Sequence, residues 1–353
     1  MATIIYTKSN STGITGGTND LVESAVKVLI EHENDKLSAE GGICDKLFNV
    51  EDSEHYAETL VNHSDLGTFS AVSEGSAAAG LSAKEYARKV VEHIQFMGEF
   101  GISANMLEDA GSGIAADSRR LVRGFVRSYY RTRNKLAEKA IINGTAESMS
   151  FNSATVDLKT ADGKTLFSNA HVYGASGSQS NYYYKAKATD GEAITAAAVE
   201  TLLAQLAVKM RNLKDEEGEA LGFEPDIILI PGDNPTLETA VKKAVLSVNT
   251  CGGSNNDANL QYGKWQVIVL PDWSSASADS FIIMSSEANR ALGGNMFFNR
   301  IPLTVKSWED YHTGNHMWNG RCRFGVGFGS YKHIMRFDYC AKGATVSTAT
   351  ALS

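Results

Sequence analysis

Proline is nearly missing from most of this chain. Only five of its 353 residues are proline, and Pro225, Pro231, Pro235, Pro271 and Pro302 all lie beyond residue 224. Nothing earlier is punctuated by the residue that most sharply interrupts helices and strands. Elongated elements are therefore expected before residue 225, and a compact, turn-rich module after it. Cysteine is scarce and scattered, at Cys44, Cys251, Cys322 and Cys340. No CxxC pair exists, which excludes the short-spaced zinc and redox motifs and leaves four reduced thiols as the expectation. No apolar run approaches the roughly 18 residues of a membrane span. The first eight residues, Met1-Ala-Thr-Ile-Ile-Tyr-Thr-Lys8, hold no apolar stretch of signal-peptide length, so cytoplasmic synthesis is expected. Positive charge is in deficit: 33 Lys and Arg stand against 41 Asp and Glu, a formal net charge of -8. That argues against a general nucleic-acid binder and against docking on an anionic membrane.

Concentrated chemistry is also wanting. Gly252-Gly-Ser-Asn-Asn256 lacks the Gly-Lys-Ser/Thr end of a phosphate loop, and Asp162-Gly-Lys-Thr165 lacks the upstream glycine. No dinucleotide fingerprint follows a strand, and no Gly-x-Ser-x-Gly elbow exists. His312 and His316 have metal-ligand spacing, but Gly314 lies between them and the stretch does not read as helix. His171 follows Ser168 by three residues with nothing evident to orient it as a base, so a structural role is expected.

What is present is an ordered globular composition, 43% hydrophobic and 21% charged. The length exceeds the size at which one core stops growing, so two lobes are expected. The proline-bearing module reads as helix Ile194 to Leu213, strand Pro225 to Pro231, helix about Thr236 to Ser247 and strand Trp265 to Pro271. Upstream, residues 1–18 read as a flexible arm. Asp20 is placed to cap a helix over 21–33, and the acidic stretch 31–65, broken by Gly41-Gly42, reads as an extended arm. Thr68 to Val72 reads as a short strand, followed by a tip of small residues. Tyr86 to Met97 alternates with period two and would reach roughly 40 Å as one strand. Together these read as a long β-hairpin. An isolated hairpin is marginal in water, so it needs another surface, either a neighbouring copy or its own domain.

Residues 115–142 carry the strongest helical pattern, with Leu121, Phe125, Tyr129, Leu136 and Ala140 on the apolar stripe and a stop at Asn143-Gly144. Eight basic residues surround that stripe: Arg119, Arg120, Arg123, Arg127, Arg131, Arg133, Lys135 and Lys139. They suit either nucleic acid or the acidic stretches 31–65 and 214–219 of the same or a neighbouring chain, and the second reading is preferred. Further strands are expected at Phe281–Met284, Thr304–Trp308 and Arg321–Gly329, and residues 341–353 read as a loose tail.

An ordered series of segments resembles the major capsid proteins of tailed phages, in particular the Mu-like prophage major head subunit group. It runs through Phe69-Ser-Ala-Val-Ser-Glu-Gly75, Phe100-Gly-Ile-Ser-Ala-Asn-Met-Leu-Glu-Asp109, and Asp162-Gly-Lys-Thr-Leu-Phe-Ser-Asn-Ala-His171. It continues with 210–221, Glu224-Pro-Asp-Ile-Ile-Leu-Ile-Pro231, Gly263 to Pro271, and Trp308 to Gly329. The resemblance covers about residues 55 to 335. It implies an α+β, HK-ninety-seven-type phage capsid fold. The parts would be an N-terminal arm 1–65, an extended loop 66–102, a peripheral domain 103–192 with a spine helix of about 110–144, an axial domain 193–299, and return strands with a tail 300–353.

The work implied is structural: hexamers and pentamers closing into an icosahedral shell around double-stranded DNA, without sequence-specific binding. Partners would be other copies, a portal, and scaffold or decoration proteins; no membrane, cofactor, metal or catalytic residue is expected. Phe69, Val72, Glu74, Lys84, Tyr86, Arg88 and Lys89 are the expected inter-subunit contacts of the extended loop, and Arg123, Arg127 and Arg131 mark the spine. The shell would assemble in the host bacterial cytoplasm and reside in the virion. The rivals are an encapsulin-like compartment of the same fold and an α/β enzyme built on the 194–273 lobe.

Overall fold

The computed structural model describes residues 18–63, 69, 71–77, 80, 85–103, 105, 116–172, 174, 177–189, 191–251, 257–274 and 279–352. The helices are α1 (Thr18–Glu40), α2 (Ile43–Leu47), α3 (Ala116–Ile142), α4 (Ala196–Arg211), α5 (Pro235–Leu246) and α6 (Ser286–Ala291). The strands are β1 (Asn49–Asp52), β2 (Ala57–His63), β3 (Glu85–Glu92), β4 (Ile94–Ile102), β5 (Ser148–Phe151), β6 (Ala154–Asp157), β7 (His171–Val172) and β8 (Ser178–Gln179). They continue with β9 (Tyr182–Ala186), β10 (Ile227–Pro231), β11 (Gln266–Leu270), β12 (Asp279–Met284), β13 (Asn295–Glu309), β14 (His316–Phe328), β15 (Ile334–Cys340) and β16 (Thr350–Ala351). The α+β class expected from the sequence is the class of the structure. The chain divides into two compact units, one of residues 1–40, 96–131 and 303–322, the other of the remainder.

The larger unit is organised on a six-stranded mixed sheet in the order β11-β10-β12-β15-β9-β16. The proline-bearing module supplies one edge of it, β11 and β10. β10, Ile227-Ile-Leu-Ile-Pro231, is buried at every residue, as a strand covered on both faces must be. It runs parallel to β11 and antiparallel to β12. α4 and α5 cover one face: Val199, Leu202, Leu203 and Leu206 pack with Leu237, Val241 and Val245 over Ile228, Ile230, Phe281 and Phe337. Local chemistry fixes both helix starts. The Thr195 hydroxyl accepts from Ala198 N at 3.2 Å. The Asn234 side chain accepts from Leu237 N at 3.0 Å, with Pro235 at the first helical position, where its missing N–H costs nothing.

The sheet takes β9 and β15 from stretches that the resemblance assigns to a different domain from the module. It also takes the C-terminal stretch, which the sequence reading leaves as a loose tail. β16 pairs with β9, Leu352 N donates to Tyr184 O at 2.8 Å, and Leu352 is buried.

The smaller unit packs α1 against residues 116–131 of α3. Its core is Val26, Ile30, Val122, Val126, Ile102 and Trp318, with the Phe100 ring stacked on Trp318 at 5.2 Å. α1 is longer than expected: it starts at Thr18, so Asp20 lies inside the helix rather than at its cap, and it runs on to Glu40. Gly41, at φ +64, stands just beyond the end, where a left-handed residue ordinarily terminates a helix. α3 matches the expected bounds closely, and Leu136 and Ala140 are buried as expected, but toward its N-terminus the buried face is turned. Val122 and Val126 are fully buried while Leu121 is 45% exposed. The helix stops at Asn143, whose side-chain Nδ2 donates to Lys139 O at 2.9 Å.

The hairpin exists with a different first strand. β2 pairs antiparallel with β3, from Ala57↔Glu92 to Asn62↔Ala87. Among the described residues of the expected first strand, Phe69, Ala71 and Val72 are not in a strand. The expected 40 Å second strand breaks at His93. β3 belongs to the hairpin and β4 to the four-stranded sheet β1-β13-β14-β4. His93 is buried, with Nε2 2.9 Å from the Ser53 hydroxyl, and this bond replaces continued pairing at the break.

Candidate functional site

The β2–β3 ribbon is fastened at its base, and the described residues between its strands are exposed. At the base, Val91 and Leu60 pack with Met296 and Phe298. Close approach is made possible by alternate glycines on β14. A Cβ on Gly327 would lie 2.3 Å from Val91 Cγ2, and one on Gly325 2.8 Å from Glu92 O. Asn62 Nδ2 donates to Gly329 O at 2.9 Å. The part of the expectation in which the hairpin folds back on its own domain therefore describes its base.

Lys89, expected at an inter-subunit contact, is instead 7% exposed within its own chain. Its ammonium donates to Asp157 O at 3.2 Å and to Lys159 O, and lies 3.6 Å from the Asp157 carboxylate. Burial pushes its pKa down, and Asp157 opposes that shift. A lysine is accepted there because two carbonyls and a carboxylate replace its water.

Away from the base the picture reverses. Phe69 is 91% exposed and Val72 53%, and Glu74 and Arg88 are exposed. Ser73 to Ser76 form a turn, with Ser76 N donating to Ser73 O at 3.0 Å and Gly75 at φ +82. Tyr86 is half-buried, its hydroxyl 3.4 Å from Glu217 Oε1. Lys84 lies outside the described residues.

On α3, Arg123 and Arg127 both lean on one buried carboxylate, Glu33 of α1, at 3.7 and 3.9 Å. Farther along, Arg133 donates to Asp45 Oδ1 at 2.6 Å, so the stretch 31–65 does supply acidic partners. Among the described residues, the ion pair of the stretch 214–219 goes elsewhere: Glu216 is buried against Lys332 at 2.5 Å. Arg131 is exposed, and it lines an open groove of about 460 Å³ with Arg120, Arg123, Gly124, Arg127 and Ser128.

The candidate catalytic groups are placed in structural roles. His171 is fully buried, its Nδ1 2.6 Å from Asp162 Oδ2, and its ring is stacked face to face on Tyr331 at 3.8 Å. Burial pushes the Asp162 carboxyl up, but His171, Thr160 and Lys164 N outweigh it and hold the pKa low. The Ser168 hydroxyl accepts from Ala170 N at 3.2 Å. His312 and His316 flank a turn closed by Asp310, and no group of metal-ligating residues occurs among the described residues. The Gly252–Asn256 loop lies outside the described residues.

Sequence reasoning missed two buried polar anchors. One is the Lys332–Glu216 pair. The other is Asn295, whose Nδ2 donates to Leu47 O at 3.0 Å and whose Oδ1 lies 2.8 Å from His333 Nε2. Burial pushes His333 down to about 3, so it is neutral at ordinary pH. Neither anchor has a spacing signature, because both join residues more than 30 positions apart.

No family model matches the sequence, and no curated protein matches it. Among solved structures, that of Mycobacterium phage Patience is similar over 93% of this chain and 88% of its own, with 14% identity and a TM-score of 0.49. The capsid of Ralstonia phage GP4 is similar over 85% and 89%, with 10% identity and a TM-score of 0.48. The capsid of the cyanophage P-SCSP1u covers 84% and 87%, with 12% identity and a TM-score of 0.47.

Proposed function

We propose that the chain is a structural major capsid protein of a tailed phage, with an HK-ninety-seven-type fold. It self-associates into hexamers and pentamers that close an icosahedral shell around double-stranded DNA. The observation that carries this reading is the ribbon, anchored at its base and bare at its end, where Phe69 and Val72 face solvent. Exposed apolar groups on a reaching segment mark a contact with another molecule. Further exposed groups stand elsewhere on the chain: Leu246, Val248 and Leu260 by the end of α5, and Tyr311, 99% exposed, at the β13–β14 turn. A two-fold dimer needs one self-complementary patch, whereas several distinct patches suit head-to-tail contacts that close into rings. The ordered segments resembling phage head subunits specify which ring-forming class. In that class a portal, and scaffold or decoration proteins, join the shell, and the assembled protein resides in the virion.

Negative-stain microscopy of the full-length expressed chain tests the reading: uniform shells are expected. Deleting Ser73 to Ser82 is expected to leave a folded subunit that no longer forms them. A monomer without particles at any concentration overturns the proposal, as do normal shells from the deletion for the ribbon's part in it. Neighbouring genes separate a phage head (terminase and portal) from a compartment that stores enzymes.

A further inference from the structure

We propose that the arginine groove of α3 is a binding face for the phosphate backbone of duplex DNA. The identity of the polyanion rests on the proposed function; the site itself rests on four observations.

First, Arg120, Arg123, Arg127 and Arg131 fall at steps of three and four residues, which places them along one helix face, opposite the buried Val122 and Val126. They extend over about 16 Å of helix axis at 1.5 Å per residue. Second, the local charge opposes that of the chain. α3 holds eight basic residues against two acidic ones, Asp117 and Glu138, a net of +6, while the whole chain is at -8. Third, the groove is under-neutralised. Glu33 serves Arg123 and Arg127 together, and among the described residues Arg120 and Arg131 have no ion-pair partner. Guanidinium forks suit phosphate oxygens better than point charges do.

Fourth, Gly124 forms the floor. A mid-helix glycine is less favourable than alanine, yet a Cβ there would meet nothing within 4 Å. The chain's own packing does not require glycine, and its bare backbone leaves the groove open to a close-approaching ligand. The other candidate occupant is an acidic segment of a second copy. Extended guanidinium spacing favours the polymer, because the lining is Arg, Gly and Ser throughout.

The test uses the full-length chain, kept below its self-association concentration, with a fluorescent duplex of arbitrary sequence and anisotropy read across a salt series. Each phosphate contact contributes about -0.9 to the slope of log K against log salt. The R120Q/R123Q/R127Q/R131Q variant is expected to lose about 3.6 units of slope and at least tenfold in low-salt affinity. A charge-matched control at exposed lysines, K185Q/K209Q/K214Q/K264Q, is expected to stay within about twofold, since it removes equal charge away from the groove.

Two variants guard against misfolding. R120Q/R131Q breaks no ion pair seen among the described residues, and it is expected to lose roughly half as much slope. G124L is expected to raise the melting temperature by restoring helix propensity while weakening DNA binding. Equal slopes for the groove variant and the lysine control overturn the proposal. So does a groove variant that keeps its DNA binding but fails to self-associate, which would assign the face to a neighbouring copy. Shells in micrographs with arginine-independent binding defeat this inference alone; arginine-dependent binding without shells defeats only the capsid reading.

Discussion

The six-stranded sheet and the β2–β3 ribbon belong to the same unit yet obey opposite rules. In the sheet, β10 and β12 carry consecutive apolar residues with their partners all within the chain. In the ribbon, Leu60, Asn62, Lys89 and Val91 find partners within the chain, while between the paired strands Phe69 and Val72 are exposed. The sheet is stabilised by what it buries now. On the capsid reading proposed above, the ribbon has apolar surface it has yet to bury. The difference then separates residues that hold the subunit together from residues offered to a neighbour, and it can be attacked at three points.

The largest effect is expected in the sheet. Phe281 is fully buried, its ring 5.2 Å from that of Phe337. Phe281→Ala removes that contact and leaves a void which the sheet cannot close, at a cost of about 3–5 kcal/mol. Guanidinium unfolding of the unassembled subunit measures it. A loss no larger than that from a ribbon-end substitution would erase the contrast.

An intermediate effect is expected where the ribbon meets its support. Gly327→Ala drives a methyl to 2.3 Å from Val91 Cγ2 and 3.3 Å from Leu60 Cδ1. Overpacking of this kind costs about 1–3 kcal/mol. Val91→Ala in the same chain returns the space, so the double variant is expected to be more stable than the sum of the two single losses predicts. Strict additivity in denaturation midpoints would mean that the ribbon does not rest on β14.

These two sites also show what the sequence makes legible. The module around Phe281 is readable because every local signal agrees: an unbroken apolar run, Thr195 and Asn234 at caps, Pro235 at a helix start. The ribbon's first strand is misplaced because Thr68 to Val72 has better strand residues than Ala57-Glu-Thr-Leu-Val-Asn-His63. The real strand is chosen by the surface it lies on. A signal for that surface does exist. Gly325 and Gly327 alternate on β14, with Gly329 just beyond its end, and glycine at period two in a strand marks one face approached closely by another chain segment. The base contacts built on Lys89 had no comparable mark, since a buried lysine is rare and depends on carbonyls contributed from Asp157 and Lys159. The arginine face is legible as composition, but not its placement against the buried stripe, because the periodicity puts Leu121 inward in place of Val122.

The smallest effect on the subunit is expected at the ribbon's end, and it bears hardest on the comparison. Phe69→Ser with Val72→Ser removes two large apolar groups, which in the sheet would unfold the protein. At 91% and 53% exposure they have little burial within the chain to lose. The subunit's unfolding free energy is expected to stay within about 0.5 kcal/mol of the parent. Light scattering of the same sample is expected to show assembly abolished or shifted to much higher concentration, since apolar groups that cost nothing to delete from the monomer must be counted in an interface if they count at all. A variant that is destabilised instead would show that the ribbon's end folds onto its own chain. One that is neutral in both stability and assembly would leave Phe69 and Val72 as ordinary exposed residues and remove the observation on which the capsid reading stands.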